Sequence, residues 1–212
     1  LIDENSYSYI MAKGKSDLIL RDRLQFSPDA GGNQETVYGR FDLSEYVSTL
    51  ERKGLAIKEV NLMLREPTAG NCGNFEHSQG TAFNASTTGI ATQNLKIYCS
   101  TRAYENAADV GIASPDVIHI ETFTSYLGPQ YTGGAAPIAN STFMYADHNV
   151  YPTENLHPDG FPVVTDLLFA VSSDNWTLIG DKVIELDVML IAEPITISAK
   201  ELTEMLVQGQ DQ

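Results

Sequence analysis

The chain has 212 residues, 42% hydrophobic and 19% charged, with 28 Asp and Glu against 13 Lys and Arg, a net charge of −15 and a pI near 4.4. This length and apolar content suit one large folded domain with its own core and exclude a disordered chain. The acidic excess repels phosphate, which argues against direct, sequence-independent binding of nucleic acid.

Leu1–Gly14, polar and aromatic, reads as an N-terminal arm preceding a single domain over 15–212. It opens on Leu1 rather than Met, which leaves room for a removed leader. Leu18, Leu20 and Leu24 predict a first strand within Lys15–Phe26, and the SPDAGGNQ cluster predicts a turn. Glu35–Phe41 reads as a second strand. The period then changes: Leu43, Tyr46, Val47 and Leu50 recur at helical spacing behind Asp42, predicting a short capped helix stopped by Gly54. Leu55–Glu66 alternates as a strand, and Pro67 ends it.

Thr68–Thr92 is irregular, either a weak hairpin or a functional excursion. Gln93–Arg102 reads as a strand, Glu105–Val110 as a helical turn and Asp116–Thr124 as a further strand. Ser125–Asn140 reads as a Gly/Pro-rich loop, Ser141–Tyr145 as a short strand and Ala146–Gly160 as a long polar loop. The apolar run Phe161–Val171 predicts one strand buried on both faces.

Lys182–Glu193 is the most regular stretch: Ile184, Leu186, Val188 and Leu190 alternate with Glu185, Asp187, Met189 and Ile191. Pro194 interrupts it. Ser198 and Glu201 form an S-x-x-E capping box for a C-terminal helix over 199–207, with Leu202, Met205 and Leu206 on one face. The pattern is all-β without a repeat period. It predicts an antiparallel β-sandwich, a jelly roll, with short helices after the second strand and at the C-terminus.

Candidate chemistry is sparse. The four histidines are His77, His119, His148 and His157, without the close spacing of a zinc motif. His119 and Glu121 share one strand face at i and i+2, which reads as a surface-facing polar pair. Asp147, Glu154 and Asp159, in a loop that also holds His148 and His157, are candidate Ca²⁺ ligands without an EF-hand spacing; a solvated loop is the competing reading. Glu185 and Asp187 are spaced as a glycosidase-like pair but fit a solvated strand face better. Cys72 and Cys99 leave both a single bridge and two free thiols open. Asn84, Asn140 and Asn175 head glycosylation sequons, and Tyr126, Tyr131, Tyr145 and Tyr151 suit protein or carbohydrate contacts. No nucleotide or hydrolase motif, no cofactor motif and no membrane-spanning apolar run is present.

Two stretches carry a resemblance. VYGRFDLSEYVSTLERKGLAIKEVNLML, from Val37 to Leu64, and FPVVTDLLFAVSSDNWTLIGDKVIELDVMLIAEPITISAKEL, from Phe161 to Leu202, resemble single jelly-roll capsid proteins of tailless icosahedral viruses from the environment, those of archaea included. The resemblance implies a non-enzymatic capsid or capsid-associated subunit of a virion, without catalytic residues or cofactor. Its partners would be copies of itself and other virion proteins. The arm residues Tyr7, Tyr9 and Ile10, and Leu202, Met205 and Leu206 of the C-terminal helix, would make inter-subunit contacts. The alternative is an extracellular or cell-surface carbohydrate- or surface-binding sandwich, with or without dependence on Ca²⁺. An enzyme on a jelly roll would need a metal at His119 or His148.

Overall fold

The structure, a computed structural model, describes residues 17–29, 31–67, 72–75, 91–131, 137–152, 159–176 and 183–208. Within these, side chains are described except at 91, 127–131, 137–144, 204 and 206–208. Nine strands follow in order: β1 (Leu18–Phe26), β2 (Glu35–Phe41), β3 (Lys53–Arg65), β4 (Ala91–Ser100), β5 (Val117–Tyr131), β6 (Pro137–Tyr151), β7 (Phe161–Val163), β8 (Leu167–Asp174) and β9 (Ile184–Thr196). Helix α1 (Ala199–Gln208) closes the chain, and a single 3-10 turn lies at Ala107–Asp109. All ladders are antiparallel, in two sheets of order β1-β9-β3-β7 and β2-β8-β4-β5-β6. The protein is an all-β sandwich.

The pairing is nested: β1 with β9, β2 with β8, β3 with β7, and β4 with β5. Each early strand thus waits for a late partner, and β9 sits between β1 and β3. The alternation of β9 explains its place. Ile184, Leu186, Val188 and Leu190 point into the core between the sheets, where they join Leu55, Ile57, Leu95, Ile97, Phe169 and Trp176. Burying one such side chain stabilises by about 1.5–3 kcal/mol, so this strand contributes heavily to holding the sheets together.

In β3 the register slips between Ile57 and Glu59, leaving Lys58 as the extra residue of a bulge. The inward set therefore switches from Leu55 and Ile57 to Val60, Leu62 and Leu64. Lys58 is aimed at Asp17 (2.8 Å) and Glu193 (2.6 Å), and the hydrogen bonds from it to these two carboxylates raise its pKa above the ordinary lysine value.

Several expectations are corrected. The region after β2 holds no helix. Tyr46 N–H and Val47 N–H both donate to Leu43 C=O, a single turn, and Leu50 is 95% exposed rather than packed. Leu43 is buried, and Tyr46 and Val47 lean on the core, so the three residues that pack need only that turn. Gly54 is not a helix stop but lies inside β3, where an added Cβ would come within 2.6 Å of Ile197 Cδ1 and 2.7 Å of the Val163 carbonyl.

The apolar run from Phe161 is two strands. The chain leaves β7 in one sheet and enters β8 in the other, turning at Asp166. Asp166 accepts from Leu43 N–H (3.0 Å) and from the Arg40 guanidinium (Nε 2.6 Å). The expected burial on both faces holds for β8. Its outer face carries Ala170, which packs with Tyr98, Ile120, Ala107 and Val110 beneath the segment joining β4 to β5.

Parts of the stretches read as a Gly/Pro loop and a polar loop are strand instead: 125–131 lies in β5, and 137–140 and 146–151 lie in β6, each strand fifteen residues long and the two paired antiparallel. Among the described residues β4 pairs with β5 only as far as Leu127, so Pro129 meets one described ladder alone, which tolerates it. Pro194 sits in β9 for the same reason, since β1 pairs no further than Ala192.

The C-terminal helix is as expected: Glu201 N–H donates to Ser198 Oγ (3.2 Å) and Ser198 N–H donates to Glu201 Oε2 (2.9 Å), the reciprocal capping box. The Ser198 hydrogen bonds hold Glu201 below the usual carboxylate range. No helix among the described residues is long and apolar enough to cross a membrane.

Candidate functional site

The densest polar group inside the sandwich is formed by His119 and Glu121 of β5 and His148 of β6. The β4–β5 register sets His119 opposite Cys99, Glu121 opposite Ile97 and Phe123 opposite Leu95, so all three lie on the face that meets the other sheet. With β1 against β2, the two strand orders bring β7 over β5 and leave β6 with no strand opposite among the described residues. The pair therefore lies in the interior but near its open side, not on the surface as the sequence suggests; the side chains are 7% and 8% exposed.

His119 Nε2 lies 3.0 Å from Glu121 Oε1, and His148 Nε2 lies 2.8 Å from Glu121 Oε2. A carboxylate only accepts, so each imidazole donates from Nε2. His148 is 39% exposed and its ring stacks on Phe123 at 4.0 Å and 12°. One buried carboxylate is thus satisfied from both sides, once by an enclosed imidazole and once by an imidazole at the rim. Burying a charge without such partners costs several kcal/mol or more.

The arrangement limits its own chemistry. The two imidazoles engage opposite oxygens of Glu121, so the carboxylate separates them. Among the described residues no group of three or more His, Cys, Asp and Glu is arranged to hold a metal ion. Cys99, opposite His119, completes a Cys, His, Glu series on one face, but the thiol is wholly buried and burial pushes its pKa up. A protonated thiol out of reach of solutes is a poor nucleophile. Cys72 is exposed, and both cysteines are free thiols, which settles the choice the sequence left open.

The Glu185 and Asp187 carboxylates share the outer face of the four-stranded sheet. Arg23 Nε lies 2.6 Å from Asp187 and Arg65 Nε 2.6 Å from it, while an Arg65 Nη2 lies 2.5 Å from Glu185 and Gln25 Nε2 donates to Glu185 at 2.6 Å. Burial pushes the Asp187 pKa up, but hydrogen bonds from Arg23 and Arg65 outweigh it and hold the group below the usual carboxylate range. A glycosidase-like pair needs one carboxyl kept protonated; for Asp187 the shift runs the other way. This grid ties β1, β9 and β3 together.

Of the Ca²⁺ candidates, Asp147 is not in a loop but half-buried on β6, accepting from Asn149 Nδ2 at 2.8 Å. Asp159 is exposed in the turn before β7, and Glu154 lies outside the described residues. Leu202 and Met205 are half-buried on α1, and the Leu206 side chain is not among those described. Tyr7, Tyr9 and Ile10, with the whole arm 1–14, lie outside the described residues, as do His77, His157 and the sequon residue Asn84.

Sequence reading named His148 but set it in a loop, and so missed its place on β6 beside Glu121. The signal was present: Tyr145, Asp147, Asn149 and Tyr151 alternate with Ala146, His148 and Val150, the period of a strand. No protein-family model and no curated protein matches the chain.

Proposed function

We propose that the chain is a non-enzymatic structural subunit of a virion, a capsid or capsid-associated protein built on a single jelly roll and assembling with copies of itself and other virion proteins. The observation that carries this reading is the nested pairing. An antiparallel ribbon in which strands one and nine, two and eight, three and seven, and four and five pair, folded over itself, supports a jelly roll, a fold that serves in capsids. Here the order β1-β9-β3-β7 faces β2-β8-β4-β5, with β6 added outside β5. The two capsid-like stretches are neighbours in space: β3 pairs with β7 and β9, and β2 with β8.

The surface supports assembly in a second way. Leu50 and Ile112, on segments between strands, and Met63, on the outer face of β3, are large apolar side chains left exposed. The surplus of carboxylates would set such a subunit away from packaged nucleic acid, on the outside of a particle.

Sedimentation velocity and electron microscopy of the purified chain test the proposal. Trimers, pentamers, hexamers or closed particles are expected. A monomer that persists at high protein concentration, with or without Ca²⁺, would overturn it.

A further inference from the structure

The outer face of the five-stranded sheet is covered at one end by the segment between β4 and β5 and, among the described residues, is open along β5 and β6. The β5–β6 register sets Tyr145, Asp147, Asn149 and Tyr151 on this face, opposite Tyr126, Thr124, Thr122 and Ile120 in that order. Tyr126, Tyr145 and Tyr151 are 36%, 56% and 44% exposed. The Tyr126 and Tyr145 rings stand side by side, 6.0 Å between centroids and tilted by 37°. Tyr151 stands six residues further along β6, roughly 20 Å away at 3.3 Å per residue. Beside it Ile112, Ile120 and Pro152 help to line a hollow of about 310 Å³.

The ground between the tyrosines is polar: Asp147 and Asn149, half-buried and hydrogen-bonded to each other, with Thr122 and Thr124 alongside. Lys96, which shares this face, is not available to a ligand anion. Its ammonium donates to the carbonyls of Ala107 (2.8 Å) and Val110 (3.0 Å), and burial lowers its pKa.

We infer that this face binds a neutral oligosaccharide lying along β6. A sugar ring has an apolar C–H face and a rim of hydroxyls that both donate and accept. Tyr126 with Tyr145 at one end and Tyr151 at the other offer flat rings that are apolar in body and polar at the tip. Asp147, Asn149, Thr122 and Thr124 between them offer acceptors and donors for the hydroxyls. A protein-binding patch has the reverse layout, an apolar centre with a polar rim. An acidic glycan would meet Asp147 with no available ammonium among the described residues of this face to offset the repulsion. The inference is independent of self-assembly: it holds for a monomer and for a particle subunit alike.

The experiment is a screen of the full chain against an array of neutral oligosaccharides, followed by calorimetry with the hexasaccharide that binds and with hexagalacturonate as the acidic comparison. Binding to a neutral hexasaccharide and none to hexagalacturonate is expected. Tyr145→Ala and Tyr151→Ala should each weaken binding about tenfold, and Asn149→Asp should weaken it without truncating a ring. Circular dichroism and thermal melting keep misfolded variants out of the comparison. An array without a neutral ligand at millimolar concentration overturns the inference. So do folded variants that bind as tightly as the parent, or variants that lose self-association while no sugar binds, which would make this face an inter-subunit contact.

Discussion

Replacing Glu121 tests how the interior of the sandwich is held near its open side. In Glu121→Ala both imidazoles lose their acceptor. His119 is enclosed, so its N–H bears the full cost of an unsatisfied buried donor, about 1–3 kcal/mol. His148 is partly exposed and can turn to water, at a cost of about 0–1 kcal/mol. The truncation also leaves a void below Phe123 worth about 1 kcal/mol. The expected loss is therefore about 2–5 kcal/mol. Glu121→Gln keeps one acceptor oxygen and presents an amide to the second imidazole, which can accept in its other tautomer. Two charge-assisted bonds become neutral ones, at about 1–2 kcal/mol in total. His148→Ala exposes an oxygen that already lies near solvent and should cost about 1 kcal/mol. Urea unfolding of the four proteins at neutral pH, with equal m-values, measures the series. The reasoning fails if Glu121→Ala loses less than about 0.5 kcal/mol, or if His148→Ala proves as costly as Glu121→Ala.

Gly54→Ala should destabilise by about 1–3 kcal/mol, because the new methyl meets the Val163 backbone carbonyl as well as Ile197; chemical denaturation measures it. Asp187 is held below its unfolded pKa, so its contribution to stability is present above the unfolded value and is lost as pH falls through the folded one. The parent should therefore lose stability below about pH 4, and Asp187→Asn should flatten that acid limb in thermal melts taken across pH 2–6. One thiol, Cys72, should react with an aromatic disulfide reagent in the folded protein and two after denaturation; two fast thiols in the native state would contradict the burial of Cys99. Lys58→Met should cost more than Glu193→Gln, since it strips the partner from the enclosed Asp17 carboxylate whereas Glu193 is half-exposed; paired urea curves decide the order.

The sequence by itself determined the class of fold and its strongest strands. Alternation at Ile184–Leu190 and at Val60–Leu64 is a local property, and one-sided burial is the only stable use of it. The capping box at Ser198 and Glu201 is equally local, closed within four residues. The phase slip between Ile57 and Val60 was also present in the sequence, as the mark of the Lys58 bulge. Tertiary structure decided the rest. Gly128 and Pro129 in β5 and the polar run 147–149 in β6 carry weak strand preference, and became strand because β5 and β6 satisfy each other's backbone from the pair Ile120 and Tyr151 to the pair Tyr131 and Pro137. The apolar pattern after Asp42 fitted a helix, but only Leu43, Tyr46 and Val47 had core to meet, so one turn sufficed. His148 joined Glu121 across 27 positions of chain, and Tyr145 came to stand beside Tyr126. Such meetings depend on register between strands, which local sequence does not encode and the packing of the whole sandwich does.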